Sequence, residues 1–333
     1  MLVLTKKGLY CPAGDFYIDP SRGVDHAVVT HAHSDHARKG SRRYYSSKSG
    51  TGLLRGRLGQ SITVSSFEYR EVFYINGVKL SFHPAGHILG SAQVRIEHDG
   101  QVWVASGDYK READPTCEPF ESVECDVFVT EATFGTPGYN WSKEANVGQE
   151  IFDWHSQNAK NGVNSVLFAY SLGKTQRVLG VLEPYKMNPI YCHSSATPLN
   201  ECYLQQGMKL APTICLSSIS EKTKLRGELL IVPQSFLQSE QAEILGENFQ
   251  TAFASGWMAK NSFGYGSYDK GFLMSDHADW GDLVRTILES KAKRVYVQHR
   301  GKGALVRHLK SLGIQAFPES DLMPENPDQL AFF

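Results

Sequence analysis

The run "THAHSDHARKG", residues 30–40, places three histidines and an aspartate in six positions, directly after the apolar "AVV" of 27–29. Three of the chain's twelve histidines in so short a window do not read as chance members of a polar loop. In extended or loop backbone His31 and His33 project to one side, and Asp35 and His36 turn toward a neighbouring position. Four donors this close suit two metal ions better than one, since each ion takes about four to six ligands. A chain built round such a grip must bring more ligands to it from distant positions. That demand constrains the fold more than any local propensity does.

Three stretches offer those ligands. "HPAGHILGSAQV" carries His87 between Gly86 and Gly90, glycines that let backbone pass close to a site. "ASGDYKRE" sets Asp108 after an apolar run, well placed as a carboxylate bridging two metals, and "RVYVQHRGKG" sets His299 at the end of another. Each alone reads more simply as structural, a histidine satisfied by a backbone carbonyl or an aspartate opening a turn. Together they repeat one pattern of strand, ligand, then glycine.

At 333 residues the chain exceeds the usual single-domain size. Its 41% hydrophobic and 21% charged residues are those of an ordinary globular protein. No stretch approaches the length of a membrane span, and the N-terminus lacks a secretory pattern, so a cytoplasmic location is expected. The six cysteines (11, 117, 125, 192, 202 and 215) form no C-x-x-C pair and read as reduced. The net charge of -1 announces no global basic field. Charge is nevertheless uneven: Arg38, Lys39, Arg42, Arg43, Arg55 and Arg57 crowd one stretch, and Lys291, Lys293, Arg294, Arg300 and Lys302 another. Such patches can draw phosphates, although for a single run solvated surface is the commoner explanation.

Along the first ~135 residues, short β-branched runs ("DHAVVTH", "VKLSFHP", "QVWVASGD", "CDVFVTEATFG") each lead at once into polar, chemically capable residues. From about 143 the pattern changes. Val147, Ile151 and Trp154 recur at helical spacing, with Asn161-Gly162 as a helix end. Strand and helix signals then alternate, as in an α/β unit with parallel strands. "NSFGYGSYDKG", 261–271, has the composition of a linker or hinge, and a helix, a strand and a second helix ending at Gly313 follow it.

The order "HAHSDH", "AGHILGSA", "SGD" and late "VQH" resembles the signature motifs of the metallo-β-lactamase superfamily. Their spacing and the insertion before the last resemble its β-CASP nucleases. Glu131 in "VTEATFG" matches that group's acidic residue after the fourth strand, and His277 in "MSDHADW" its S-x-H-x-D element. The resemblance covers nearly the whole chain. The opening "LTKKGLYCPAGDFYIDPSRGVDHAVVTHAHSDHA" is most similar to the bacterial ligase-associated DNA exonucleases, named for their association with an ATP-dependent DNA ligase and a helicase. In one respect the chain departs from the group: Arg300 follows the final histidine where many members have glycine. That cation is expected to touch substrate phosphate or to line the rim.

The resemblance implies an α/β architecture: a metallo-β-lactamase αββα sandwich formed by 1–142 and 261–333, with a β-CASP cap domain inserted at 143–260. It implies that His31, His33 and His87 hold one zinc and that Asp35, His36 and His299 hold a second, with Asp108 bridging. Mn²⁺ is the alternative metal. Paired ions of this kind acidify a shared water for attack on phosphorus. Asp35 is expected to orient that nucleophile, and His277 to protonate the leaving oxygen with Glu131 on its other ring nitrogen. Without the resemblance, His277 reads equally well as a residue at a helix start.

The insert is expected to grip nucleic acid. "YSLGKTQR" offers Ser171, Lys174, Thr175, Gln176 and Arg177 where a strand meets a helix, although it is not a nucleotide P-loop, since Phe168 stands where the first glycine is required. "ASGWMA" offers Ser255 and Trp257, the latter as a base-stacking surface or a buried ring. A cleft with a basic wall would let a nearly neutral protein bind a polyanion. The implied activity is DNA exonuclease in repair. The competitors are a β-CASP ribonuclease processing RNA ends, a hydrolase of thioesters, lactones or β-lactams, and a catalytically silent nucleic-acid-binding subunit. The insert and the Glu131/His277/His299 trio speak against the small-molecule hydrolase, and the full ligand set against the silent subunit.

Overall fold

The computed structural model describes residues 1–141, 146–220, 222–260, 267–298 and 302–324. The chain divides into two compact units, one formed by 1–113, 117–140 and 277–333 and the other by 114–116 and 141–276.

In the first unit, strands β1 (Val3–Thr5), β2 (Gly8–Cys11), β3 (Phe16–Ile18), β4 (His26–Val28), β5 (Arg43–Ser47) and β6 (Val64–Phe67) form one sheet in sequence order, with helix α1 (Thr51–Leu58) between β5 and β6. The chain continues through β7 (Phe73–Ile75), β8 (Val78–Pro84), β9 (Ala92–His98), β10 (Gln101–Ala105) and β11 (Val127–Thr130). The second unit then contributes α2 (Val147–Lys160), β12 (Asn164–Phe168), α3 (Lys174–Leu182), β13 (Ile190–Cys192), α4 (Thr197–Gln205), β14 (Thr213–Cys215), β15 (Leu229–Val232), β16 (Phe249–Ser255) and β17 (Lys270–Leu273). Helix α5 (Trp280–Glu289), β18 (Arg294–Val297), α6 (Lys302–Ser311) and β19 (Gln315–Pro318) return to the first unit.

There the second sheet runs β19-β18-β11-β10-β9-β8-β7. Alternation along its strands gives it two apolar faces. On one face Phe82, Val94, Ile96, Trp103 and Val129 share a core with Leu9, Phe16, Ile18 and Val28 of the first sheet. On the other, Val104, Phe128, Val295 and Val297 pack against Leu283 and Ile287 of α5 and Leu305 and Leu309 of α6. Leu54 and Leu58 of α1 cover the outer face of the first sheet at Ala27, Val29 and Tyr44. The layers are therefore helix, sheet, sheet, helix.

The second unit holds a sheet of order β14-β13-β15-β12-β16-β17, parallel throughout. Parallel strands are buried on both faces. In β12, Leu167 faces α2 and α3 through Ile151, Val178 and Leu182, while Val166 and Phe168 face Phe236, Ile244 and Leu245. This unit extends further than the expected 143–260. The linker assigned to 261–271 falls partly outside the described residues, at 261–266, and its remainder enters β17, which pairs with β16. A strand in that sheet holds the chain in the second unit until Asp276.

Candidate metal centre

The strand-then-ligand pattern is realised at one end of the first unit's sheets. Past β4, the Val29 N–H donates to the Tyr45 carbonyl and the Ala92 N–H to the Thr30 carbonyl, so His31 emerges pinned between β5 and β9. The N–H groups of His36 and Ala37 both donate to the His33 carbonyl, closing the turn that points Asp35 and His36 elsewhere. Past β10, Ser106 N–H extends the pairing with β11, and Asp108 follows Gly107. Lys110 N–H donates to Ala85 O, tying this loop to the one that carries His87. Gly86 has φ +71°, and a Cβ there would stand 2.3 Å from the Lys110 carbonyl oxygen, so only glycine lets the two loops meet.

His31 Nε2 lies 3.1 Å from His33 Nδ1, which lies 3.0 Å from His87 Nε2. Asp108 Oδ2 stands 3.6 Å from His31 Nε2, 3.4 Å from His36 Nε2 and 3.9 Å from His87 Nε2. One donor atom from each of His31, His33, His87 and Asp108 falls within 4.8 Å of all the others. A buried carboxylate oxygen ordinarily has a hydrogen-bond partner, yet Asp108 Oδ1 has none among the described residues. Imidazole nitrogens converging on one another beside that oxygen form a nitrogen and carboxylate donor set of the kind that holds Zn²⁺ or a similar divalent ion. The residues fit a metal.

Electrostatics agrees at His31 and Asp108, whereas His36 would have to give up a proton to ligate. Burial drives the His31 imidazole well below its ordinary value, and His36 and His87 push the same way. Burial would raise the Asp108 carboxyl, but His36 and His277 outweigh it and hold the group well below the usual carboxylate range. Burial would lower His36 too, and there Asp108 and Asp19 prevail and raise it well above its ordinary value. A neutral His31 and an ionised Asp108 are the states that ligation requires.

Asp19 is a participant that the motifs did not reveal. It ends β3 at φ +45°, where its Oδ2 accepts from His36 Nδ1 at 2.7 Å and from Thr30 Oγ1 at 2.6 Å, and its Oδ1 from Thr30 N–H at 2.8 Å. A carboxylate on the far nitrogen fixes the ring so that Nε2 faces Asp108. The signal in the sequence was "FYID", a strand followed by an acid, the same pattern that exposed Asp108.

Glu131 and His277 form a second convergence. Fully buried Glu131 follows β11, accepting at Oε1 from Tyr109 N–H (2.7 Å) and at Oε2 from Thr133 Oγ1 (2.6 Å). His277 Nδ1 lies 3.0 Å from Glu131 Oε2 and 4.0 Å from Asp108 Oδ2. The helix start lies beyond His277: Asp279 is the N-cap of α5, accepting from Asp282 N–H, and Ala278 N–H is anchored on Tyr109 O.

Asp35 is mostly exposed, with Oδ2 3.8 Å from His36 Nε2. His299 and Arg300 lie outside the described residues; just before them Gln298 N–H donates to Thr130 O, next to Glu131.

In the second unit the expected phosphate grip reads differently. Lys174 and Arg177 are only 4% and 6% exposed. Lys174 Nζ lies 3.0 Å from Asp276 Oδ1 and also donates to the Met274 carbonyl. Arg177 donates to the Ser275 carbonyl and lies 3.3 Å from Asp276 Oδ1 and 3.5 Å from Asp114 Oδ2. Buried cations must be paired, and these two are matched with the chain's own acids. Ser255 is buried, its Oγ taken as a cap by the Trp257 N–H, and Trp257 is half-buried on a short 3₁₀ turn. Ser171 Oγ lies 2.6 Å from Ser195 Oγ, which lies 2.7 Å from His193 Nδ1. Among the described residues, no helix is long and apolar enough to cross a membrane.

A helix–sheet–sheet–helix unit with a histidine and aspartate cluster at the ends of its strands defines an α/β protein with a donor set that could hold a metal ion. The chain is a relative of the β-CASP nucleases of the metallo-β-lactamase superfamily, the group its motifs resemble. No family model matches it. It is 29% identical over 314 residues to a probable DNA ligase of Opitutus terrae, covering 93% of this chain but 30% of that protein. It is 24% identical to an RNase J-like protein of Methanocaldococcus jannaschii over 64% of this chain and 57% of the relative. The Endoribonuclease YSH1 of Eremothecium gossypii is 31% identical over 37% of this chain and 16% of its own length. The chain thus spans about a third or less of two of these relatives. A solved protein of unknown function from Enterococcus faecalis shares the fold, with a TM-score of 0.58 at 12% identity, covering 90% of this chain and 79% of that one.

Proposed function

We propose that this chain is a metal-dependent nuclease with the metallo-β-lactamase and β-CASP architecture, acting in the cytoplasm as a DNA exonuclease in repair. The His277–Glu131 pair set beside the Asp108 cluster carries the reading, because phosphodiester hydrolysis needs a proton donor for its leaving oxygen as well as a metal site. His31, His33, His87 and Asp108 would hold one ion; His36 and Asp35, with His299, would complete a second on Asp108. Bound divalent ions of this kind acidify water and polarise a phosphoryl oxygen. Asp19 orients His36, and Glu131 takes the Nδ1–H of His277, leaving Nε2 to carry the proton toward the departing 3′- or 5′-oxygen.

Preference for DNA, and association with an ATP-dependent DNA ligase and a helicase, rest on the resemblance of residues 4–37 and on a relative named as a probable DNA ligase. A ribonuclease is the second reading, favoured by relatives named endoribonuclease and RNase J-like. The test is purified protein loaded with Zn²⁺ or Mn²⁺ and given end-labelled single- and double-stranded DNA and matching RNA. Mononucleotide release from DNA is expected. Faster cleavage of RNA would replace the DNA reading, and no cleavage at full metal occupancy would leave a binding subunit.

A further inference from the structure

The first unit's chemistry leaves the cysteines unused, and two of the six stand side by side on neighbouring strands of the second unit. Cys192, the last residue of β13, and Cys215, the last of β14, are direct register partners on neighbouring parallel strands. Register partners project to the same face of a sheet. Both thiols lie beneath the start of α4, where Cys215 contacts Thr197 and Cys192 contacts Asn200, residues three apart on one helical face. Neighbouring strands are about 4.8 Å apart, inside the range of about 4.4–6.8 Å between Cα atoms that a disulfide spans. Cys202 sits on α4 two positions beyond Asn200, which turns it away from the sheet.

The two sulfurs differ in the way an oxidation couple requires. Cys192 is wholly buried in the core between α3 and the sheet, and burial pushes its thiol up to about 12. Cys215 is half-buried on β14, the edge strand. Burial would raise its thiol as well, but hydrogen bonds from Ser217 (Oγ at 3.0 Å) and Thr197, and from the N–H groups of Ser217 and Ser218, outweigh that and lower it. A lowered, reachable thiol beside a protected one separates the attacking sulfur from the resolving sulfur.

The geometry points to Cys192 and Cys215 as a reversible oxidation site, in which a hydroperoxide converts the pair to a cross-strand disulfide. In the first step the Cys215 thiolate attacks the outer peroxide oxygen. The O–O bond breaks, the other oxygen leaves with a proton as water or an alcohol, and the sulfur, oxidised by two electrons, becomes a sulfenic acid. In the second, the Cys192 sulfur attacks that of Cys215, the S–S bond forms as the S–O bond breaks, and the oxygen leaves as water with the Cys192 proton. A dithiol reverses the bond by exchange. The link would tie the edge strand to β13 one residue before His193, whose ring holds Ser195 and, through it, Ser171.

The site is tested on the intact protein with hydrogen peroxide, followed by thiol counting and peptide mapping. The expected result is loss of two thiols, a Cys192–Cys215 peptide pair, and recovery of both thiols with dithiothreitol. In Cys192→Ser the sulfenic acid should persist and take up dimedone at Cys215, whereas in Cys215→Ser neither product should form. Oxidation of Cys215 to the sulfinic acid in the unaltered protein without a disulfide, or linkage through Cys202 instead, would overturn the proposal. So would equal peroxide reactivity of all exposed thiols.

Discussion

His277 Nδ1 stands 3.0 Å from Glu131 Oε2 and 3.2 Å from Oε1, so one carboxylate embraces one ring N–H from both sides. Glu131 is itself fixed by Tyr109 N–H and Thr133 Oγ1, so it sets both the rotation and the tautomer of the imidazole. His277→Ala should lower turnover by about 10²–10⁴-fold, the usual worth of a general acid, with bound metal unchanged. Glu131→Gln should lower it less and shift its pH dependence, since the amide no longer stabilises a protonated ring. Loss of metal in His277→Ala, read by elemental analysis, would make His277 a ligand instead.

Asp19 makes a different kind of prediction, because it touches no substrate. Its Oδ2 holds His36 Nδ1 at 2.7 Å and so aims Nε2 at Asp108. Such outer carboxylates are worth about 10–100-fold in metal affinity. Asp19→Asn should weaken binding of the ion that His36 would help hold by that factor in a chelator competition, while Asp19→Glu recovers part of it. An unchanged affinity would show that His36 needs no such support.

These two residues mark what could be read from the chain and what could not. His31, His33, His36, His87 and Asp108 were legible because each stands next to a strand signal and a turn, and local pattern carries that much. Asp19 was passed over because "IDPSRG" also reads as an ordinary turn, and its role depends on His36, seventeen positions on. Lys174 and Arg177 show a related limit of local pattern. A basic pair at a helix start looks like a phosphate cradle until its partner is found, and Asp276 lies about a hundred residues away. The second unit's boundary moved for the same cause, since β17 is short and is held by pairing with β16, not by its composition.

The ion cluster can be separated from a nucleic-acid contact by experiment. Removing one member of a buried ion pair costs about 3–5 kcal/mol, so Lys174→Met should lower the urea midpoint of unfolding substantially. A cation that neutralises a phosphate would instead reduce the slope of binding against salt by about one. The expected outcome is a less stable protein whose salt slope is unaltered. A reduced slope with normal stability would restore Lys174 to the phosphate grip.

Acid should loosen the second unit through His155 on α2. Burial lowers its imidazole from 6.5 to about 4, with Nδ1 3.2 Å from Ser165 Oγ. Above pH 6.5 the ring is neutral in both the folded and unfolded chain, and the pH term is absent. As pH falls through 6.5 toward 4, the unfolded chain takes up a proton that the folded one refuses, and stability drops by on the order of 3 kcal/mol across that window. Urea unfolding followed by the fluorescence of neighbouring Trp154 between pH 7 and pH 4.5 measures the decline. His155→Gln keeps a polar group beside Ser165 without a titrating ring, so its curve should be distinctly flatter. If the variant declines as steeply as the unaltered chain, His155 is not the group that refuses the proton.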